Sequence, residues 1–135
     1  MASSEFSAVY DEIMAVIRPG IERLNGLAPL LVVAPERMDA DAIREIVLAM
    51  IRIMGRKAYM IKNDEQRQRF TCAMLGHILY CLDEKIRELF IGRGDLAAAM
   101  DPYNCVEWQV LQARYPGKEF GTKQDVMNMS SEWKS

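Results

Sequence analysis

Apolar residues recur along most of this chain at the three- and four-residue spacings of helical faces. The first such face consists of Phe6, Tyr10, Ile13, Ile17, Ile21 and Leu24. Pro19-Gly20 is expected to kink this helix or to split off a short second helix, Gly20 to Asn25, which Gly26 ends. Leu27 to Pro35 is apolar and rich in proline. Because no other segment could pair with it as a strand, we interpret it as an extended or partly helical connector rather than a short buried strand.

Two long helices are predicted in the middle of the chain. The first begins at Asp39 or Asp41 and reaches about Lys62, with one apolar side formed by Ile43, Val47, Met50, Met54 and Ile61. Asn63-Asp64 is a natural stop and restart, with Asp64 positioned to cap the next helix. That helix is predicted from about Glu65 to Ile91, ahead of Gly92 and Gly94.

The remainder of the chain divides into a last helix and a polar segment. Asp95 is expected to cap a short helical turn, and Asp101-Pro102 is a helix start signal for a helix that ends at about Tyr115. Lys118 to Ser135 is polar and aperiodic. The sequence therefore predicts an all-α protein, with a four-helix bundle-like domain over residues 1–117 and an extended C-terminal arm or tail over residues 118–135.

Some of the predicted helices carry more apolar surface than a monomer needs. A surface helix needs one apolar stripe, whereas the helix around Phe70 to Leu82 and the helix around Trp108 are apolar on two sides. We expect a second subunit to cover the additional faces in a homo- or hetero-oligomer, the alternative being an unusually well-buried monomer. The predicted subunit contacts are Phe70, Met74, Cys81, Trp108, Leu111 and Tyr115, and the arm from Lys118 onward is expected to reach a neighbouring subunit.

Composition narrows the class of protein. The chain has 135 residues, half of them apolar, and 17 basic against 19 acidic side chains. This is the size of one domain, too apolar to be disordered and not basic overall. The longest run without a charged side chain is 13 residues, too short to cross a bilayer, and the acidic N-terminus does not resemble a signal peptide. We therefore expect an intracellular or virion protein with no membrane partner.

Charge is concentrated in one segment. Residues 52–69 hold six basic and two acidic side chains, a net charge of +4. A local basic patch is what the phosphates of a nucleic-acid backbone attract, through charge and counterion release. The predicted phosphate contacts are Arg52, Arg56, Lys57, Lys62, Arg67 and Arg69, with Tyr59 as a possible aromatic contact. The alternative is a solvated helix face whose charges pair with acidic residues elsewhere.

Side chains that could carry catalysis or bind a metal are few. His77 and Cys81 lie four apart on one helical face, as two metal ligands can, but a buried cysteine and a hydrogen-bonded core histidine are far more common. His77 is the only histidine, and neither G-x-S-x-G nor H-E-x-x-H occurs. Three cysteines without a C-x-x-C pair exclude a disulfide framework and the usual zinc spacings. We predict no catalytic residues, no metal and no cofactor.

These features together favour a non-enzymatic assembly protein. In architecture alone, a short helical chain with additional apolar faces, a local basic stripe and a polar arm resembles the helical coat subunits of filamentous viruses. The resemblance implies a coat or nucleocapsid-like subunit that self-associates and binds nucleic-acid backbone, here duplex DNA, without reading sequence. It assigns no residue a role. The alternative is a small helical regulator or adaptor that binds another protein through its two-sided apolar helices.

Overall fold

Helices account for all regular secondary structure in the part of the chain that the structure describes. The computed structural model describes residues 2–88 and 120–132. The elements are α1 (Ala2–Val33), a 3-10 helix (Pro35–Arg37), α2 (Ala40–Ala58), α3 (Asp64–Cys81), α4 (Glu84–Arg87) and α5 (Lys123–Glu132). The predicted all-α class is confirmed. The helix predicted from Asp101 and the turn after Asp95 lie outside the described residues.

Helix α1 is longer than the sequence suggested. It continues through Pro19 and Pro29 to Val33, so of the two alternatives at Pro19-Gly20 the separate helix ending at Gly26 is wrong. An internal proline costs about 3 kcal/mol because it removes a backbone hydrogen bond and crowds the preceding turn. Burial of one large aliphatic side chain contributes about 1.5–3 kcal/mol. The apolar face continues past Pro19 and outweighs the penalty, with buried Ile17, Ile21, Leu24 and Ala28.

The segment predicted as a connector, Leu27 to Pro35, is mostly the last part of α1, and the chain between α1 and α2 is much shorter than predicted. The chain turns through the 3-10 helix and enters α2 at Asp39, whose carboxylate accepts a hydrogen bond from the backbone N–H of Ala42 at 3.0 Å. This is an N-cap, which satisfies a donor that the first helical turn leaves unpaired. Helix α2 ends at Ala58 rather than near Lys62.

Helix α3 begins and ends differently from the prediction. Asn63, not Asp64, is its N-cap, since the Asn63 side chain accepts a hydrogen bond from the N–H of Gln66. The helix predicted to reach Ile91 ends at Cys81, and a new cap at Asp83 starts the single turn α4.

Asn25 on α1 is the physical reason for the break between α3 and α4. Its side-chain amide donates to the carbonyl of Cys81 at 2.9 Å, and its side-chain oxygen accepts from the N–H of Asp83 at 2.8 Å. One side chain thus satisfies a backbone acceptor and a backbone donor that lose their helical partners where the helix ends.

Residues 120–132 do not form an extended arm. Thr122 and Asp125 exchange side-chain to backbone hydrogen bonds of 3.0 and 3.1 Å, a capping box that starts α5. The helix packs against α3 and α1. Its segment contributes four side chains to the same core as the other helices, and these are Phe120, Val126, Met127 and Met129. The prediction of an aperiodic arm is therefore wrong for these residues.

Helix α3 is the central helix of the described core. Six consecutive residues from Phe70 to Leu75 are buried, and α1, α2 and α5 all contact it. The ring of Phe70 stacks on that of Phe6 with their centroids 6.0 Å apart. On another side, the ring of Phe120 lies against Gly76, where an added Cβ would come within 2.6 Å of it. The second apolar face of this helix is thus covered within the chain.

None of the described helices combines the length and the apolar character that crossing a membrane requires.

Candidate functional site

The turn between α2 and α3 holds most of the predicted basic patch, and we call residues 56–67 the α2–α3 corner. Helix α2 closes with three short-range bonds, the last from the N–H of Ile61 to the carbonyl of Ala58 at 2.9 Å. Ile61 is fully buried and anchors the turn, while Tyr59, Met60 and Lys62 are exposed. The turn at this corner therefore has one buried apolar side chain, and its other side chains face the solvent.

Arg67 and Tyr59 form an ordered pair at the corner. The Arg67 guanidinium lies over the Tyr59 ring, with Cζ 4.5 Å from the ring centroid. It also donates to the carbonyl of Ile61 at 3.0 Å and forms an ion pair with Asp64. These contacts hold the guanidinium against one face of the ring, as expected for a cation–π pair with fixed hydrogen bonds.

The six predicted phosphate contacts differ in their surroundings. Three are ion-paired within the chain: Lys57 with Glu12, Arg67 with Asp64, and Arg69 with Glu65. The other three, Arg52, Arg56 and Lys62, are exposed. Within residues 2–88 and 120–132, neither Arg56 nor Lys62 has an ion-pair partner. The structure brings the basic residues near one corner, where three of the six are ion-paired and only the Lys57–Glu12 pair uses an acidic residue outside the segment whose net charge is +4.

A second polar group lies in the interior and involves His77. Nδ1 of His77 lies 2.7 Å from the carbonyl oxygen of Phe120, and Nε2 lies 2.8 Å from the hydroxyl oxygen of Tyr10. A carbonyl oxygen only accepts, so Nδ1–H is the donor and Nε2 accepts the proton of the Tyr10 hydroxyl. His77 thereby connects α1, α3 and the segment leading into α5.

Burial keeps this interior group uncharged. Desolvation lowers the pKa of His77, an effect that the Phe120 carbonyl and Asp125 oppose. Desolvation also raises the pKa of Tyr10 and the pKa of the Cys81 thiol, whose Sγ lies 3.7 Å from Nε2. Near pH 7 these shifts favour a neutral imidazole, phenol and thiol, so the group supplies hydrogen bonds rather than a charged acid or nucleophile.

Neither ring nitrogen of His77 is available to a metal in this arrangement, since both are hydrogen-bonded. Among the described residues, no group of three or more His, Cys, Asp or Glu side chains is placed to hold a metal ion.

A shallow groove of about 360 Å³ runs beside Tyr10 along α1 to Glu22 and carries Asp11 and Arg18. Lys123 of α5 lies at the Tyr10 end, bonded to Asp11 at 2.9 Å.

Two of the six predicted subunit contacts lie in the core of this chain and not at its surface. Phe70 and Met74 are fully buried in the core of this chain, because α3 is surrounded by α1, α2 and α5. This corrects their assignment to a subunit interface. Cys81 is half-buried beside His77. Trp108, Leu111 and Tyr115 lie outside the described residues.

Sequence reasoning missed an exposed apolar strip along the α1–α2 pair. The ion pair between Glu12 and Lys57 and the contact of Gly20 with the side chain of Met50 show that the two helices run antiparallel. Among the apolar residues of this pair of helices that are exposed or half-buried are five that together we call the apolar strip: Val16, Leu27, Leu30, Ile46 and Ile53. Val16, Leu30 and Ile46 are 48%, 44% and 38% exposed, and Leu27 and Ile53 are half-buried.

The fold and these surfaces define an all-α protein with a neutral buried histidine, a basic corner and an apolar strip. Comparison with known proteins adds no relative, since no family model, curated protein or solved structure matches the chain.

Proposed function

We propose that this protein is a non-enzymatic assembly protein that binds the phosphate backbone of a nucleic acid through the α2–α3 corner. The observation that best supports this proposal concerns two exposed cations, Arg56 and Lys62, which have no ion-pair partner among the described residues. In the sequence they lie on either side of Tyr59, whose ring packs against Arg67. In this proposal the protein acts as a coat or nucleocapsid-like subunit, inside the cell or in a virion.

The charges support backbone contact rather than recognition of sequence. Exposed guanidinium and ammonium groups attract phosphates of any sequence, whereas reading sequence requires side chains presented to base edges in a groove. At the α2–α3 corner, Arg56 and Lys62 are the two cations without an ion-pair partner among the described residues, and two phosphate contacts predict weak binding by a single subunit. Assembly of many subunits along one nucleic acid multiplies such contacts and makes the binding strong.

Fluorescence anisotropy of labelled 20-nucleotide probes, single-stranded and duplex, tests the corner. The double variant Arg56→Gln/Lys62→Gln is compared with Arg23→Gln/Arg37→Gln, which removes the same charge from exposed positions on α1 and the 3-10 helix. Loss of two phosphate contacts is expected to reduce the slope of log K against log salt by about 1.8 for duplex DNA and about 1.4 for a single strand. The control variant is expected to keep the wild-type slope. Equal loss in both variants would show that only net charge matters and would refute a site at the corner.

Self-association is the second part of this proposal, and the apolar strip supports it. Exposed aliphatic side chains on two packed helices are stabilised when another surface covers them. We propose that a second copy of the chain covers it. Light scattering of Val16→Glu/Ile46→Glu beside the wild-type protein tests this: the wild type is expected to form larger species and the variant to be monomeric. A monomeric wild type would refute self-association through the strip.

The apolar strip also favours a second candidate, a regulator or adaptor that binds a different protein. In that case the basic corner would steer an acidic partner toward the strip. Light scattering of the wild type with and without nucleic acid separates the two candidates. Large, salt-sensitive particles with nucleic acid favour the assembly protein, and a small species that ignores nucleic acid and salt favours the adaptor.

A further inference from the structure

We propose that the Tyr59 ring is a base-stacking platform and that the nucleic acid held at the α2–α3 corner is single-stranded. This inference rests on the proposed function and departs from the duplex DNA expected from the sequence. The "Tyr59 platform" denotes the Tyr59 ring together with the Arg67 guanidinium behind it.

The orientation of the ring is fixed before any ligand arrives. Tyr59 is the C-cap residue of α2, in the right-handed helical conformation, and its N–H is bonded to the last carbonyls of that helix. Arg67 covers one ring face and is itself held by Asp64 and by the carbonyl of Ile61. A preorganised ring loses little conformational entropy when a flat group packs against it.

The other face of the ring is open. Tyr59 is 56% exposed although Arg67 covers one of its faces, so the exposed area belongs to the opposite face and the ring edge. Met60, next in the chain, is 49% exposed and extends the apolar surface. An aromatic face with a cation behind it and an open front matches the faces on which bases of single strands stack.

The surrounding charges suit a strand whose bases face the ring. Arg56 precedes Tyr59 by three residues and Lys62 follows it by three, and both of these cations are exposed. A backbone crossing the corner contacts these cations with its phosphates while one of its bases packs on Tyr59. In a duplex the bases are already stacked and paired, and reaching one requires extruding it. Stacking on Tyr59 therefore favours single strands, whereas the cations alone bind both forms.

The test compares Tyr59 variants on three labelled probes of one sequence: single-stranded DNA, single-stranded RNA and duplex DNA, by anisotropy at one salt concentration. Tyr59→Ala is expected to bind single-stranded DNA about 5- to 150-fold more weakly, the range for loss of one aromatic–base stack. Its duplex affinity is expected to be unchanged. Tyr59→Phe keeps the ring and is expected to bind as the wild type does. Both single strands are expected to respond, because stacking and phosphate contact are common to DNA and RNA, and a loss confined to one of them identifies the strand that the platform holds.

Two further variants keep the result interpretable. Tyr80→Ala removes another exposed tyrosine, at the opposite end of α3, and is expected to bind as the wild type does. Tyr59→Leu keeps an apolar cover over Arg67 without an aromatic ring, so it replaces Tyr59→Ala if that variant unfolds, with the same expected loss.

Each outcome bears on one of the two proposals. If Tyr59→Ala or Tyr59→Leu binds single strands as tightly as the wild type while Arg56→Gln/Lys62→Gln binds weakly, the platform is refuted and the proposed function stands. The platform is also refuted if Tyr80→Ala weakens binding to single strands as much as Tyr59→Ala does. If the wild-type protein binds none of the three probes, the proposed function fails and the platform fails with it.

Discussion

Acidification from pH 7.5 to pH 5.5 is expected to destabilise the folded protein through His77. This residue is the only histidine in the chain and is 3% exposed, and desolvation lowers its pKa in the folded state below the ordinary value of 6.5. In the unfolded chain the imidazole takes up a proton as the pH falls through 6.5. In the folded chain it stays neutral to lower pH. The unfolded state therefore binds more protons in this interval, and the free energy of unfolding decreases as the pH decreases.

The hydrogen bonds around the His77 imidazole explain why its protonation is unfavourable in the folded state. Protonation would turn Nε2 from an acceptor into a donor facing the Tyr10 hydroxyl, and it would place a charge among buried groups. If the folded protein stays unprotonated throughout, the decrease in the free energy of unfolding between pH 7.5 and pH 5.5 amounts to about 1.4 kcal/mol. A smaller pKa shift gives a smaller decrease.

Urea denaturation followed by circular dichroism at a series of pH values measures this decrease. His77→Gln lacks the titrating imidazole, so its free energy of unfolding is expected to change less with pH than that of the wild-type protein. A wild-type protein equally stable at pH 5.5 and pH 7.5 would refute the reasoning. So would a His77→Gln variant with the wild-type slope, because other groups would then be responsible.

Three further predictions concern the packing that the structure shows, each read as a change in the free energy of unfolding by urea denaturation. Asn25→Ala is expected to cost about 2–3 kcal/mol, because two hydrogen bonds to the ends of α3 and α4 are lost; a cost below 0.5 kcal/mol would contradict this role. Phe120→Ala is expected to cost about 3–5 kcal/mol, as for a large aromatic side chain in a core, and a surface-like effect would contradict the packing of the α5 segment on Gly76. Thr122→Ala is expected to cost about 0.5–2 kcal/mol through loss of the cap of α5, whereas Thr122→Ser is expected to be nearly neutral.

The sequence was sufficient to predict features that depend only on residues close together along the chain. The apolar periodicity of α1 and α2 and the cap at Asp39 follow directly from spacing and side-chain chemistry. The capping box of Thr122 and Asp125 is also visible in the sequence, but the polar composition around it led to the prediction of an arm. Composition was the weaker signal there, since a helix needs only a few apolar residues on one face to pack.

Other features of the fold depend on contacts between residues far apart in the sequence, and these could not be predicted from local patterns. Asn25 ends α3 from 56 residues away, and continuous burial carries α1 through two prolines. The two apolar faces of α3 were read correctly as surface in need of cover, but sequence alone could not show that α1, α2 and α5 supply that cover. The basic residues of the corner were found from charge density, whereas their ion pairs depend on neighbours brought close by the fold.

Because α5 packs on α3 and follows it in the sequence, α3 is synthesised well before the helix that covers one of its sides. Gly76 and its neighbours on α3 receive their Phe120 and α5 contacts only after roughly 50 further residues have been made. At the usual rates of about 5–20 residues per second, this leaves one apolar side of the central helix open to water for about 3–10 s. In a nascent chain that interval is long compared with helix formation. Within the part of the chain that the structure describes, the side of α3 around Gly76 is therefore among the last parts of the core to be covered during synthesis.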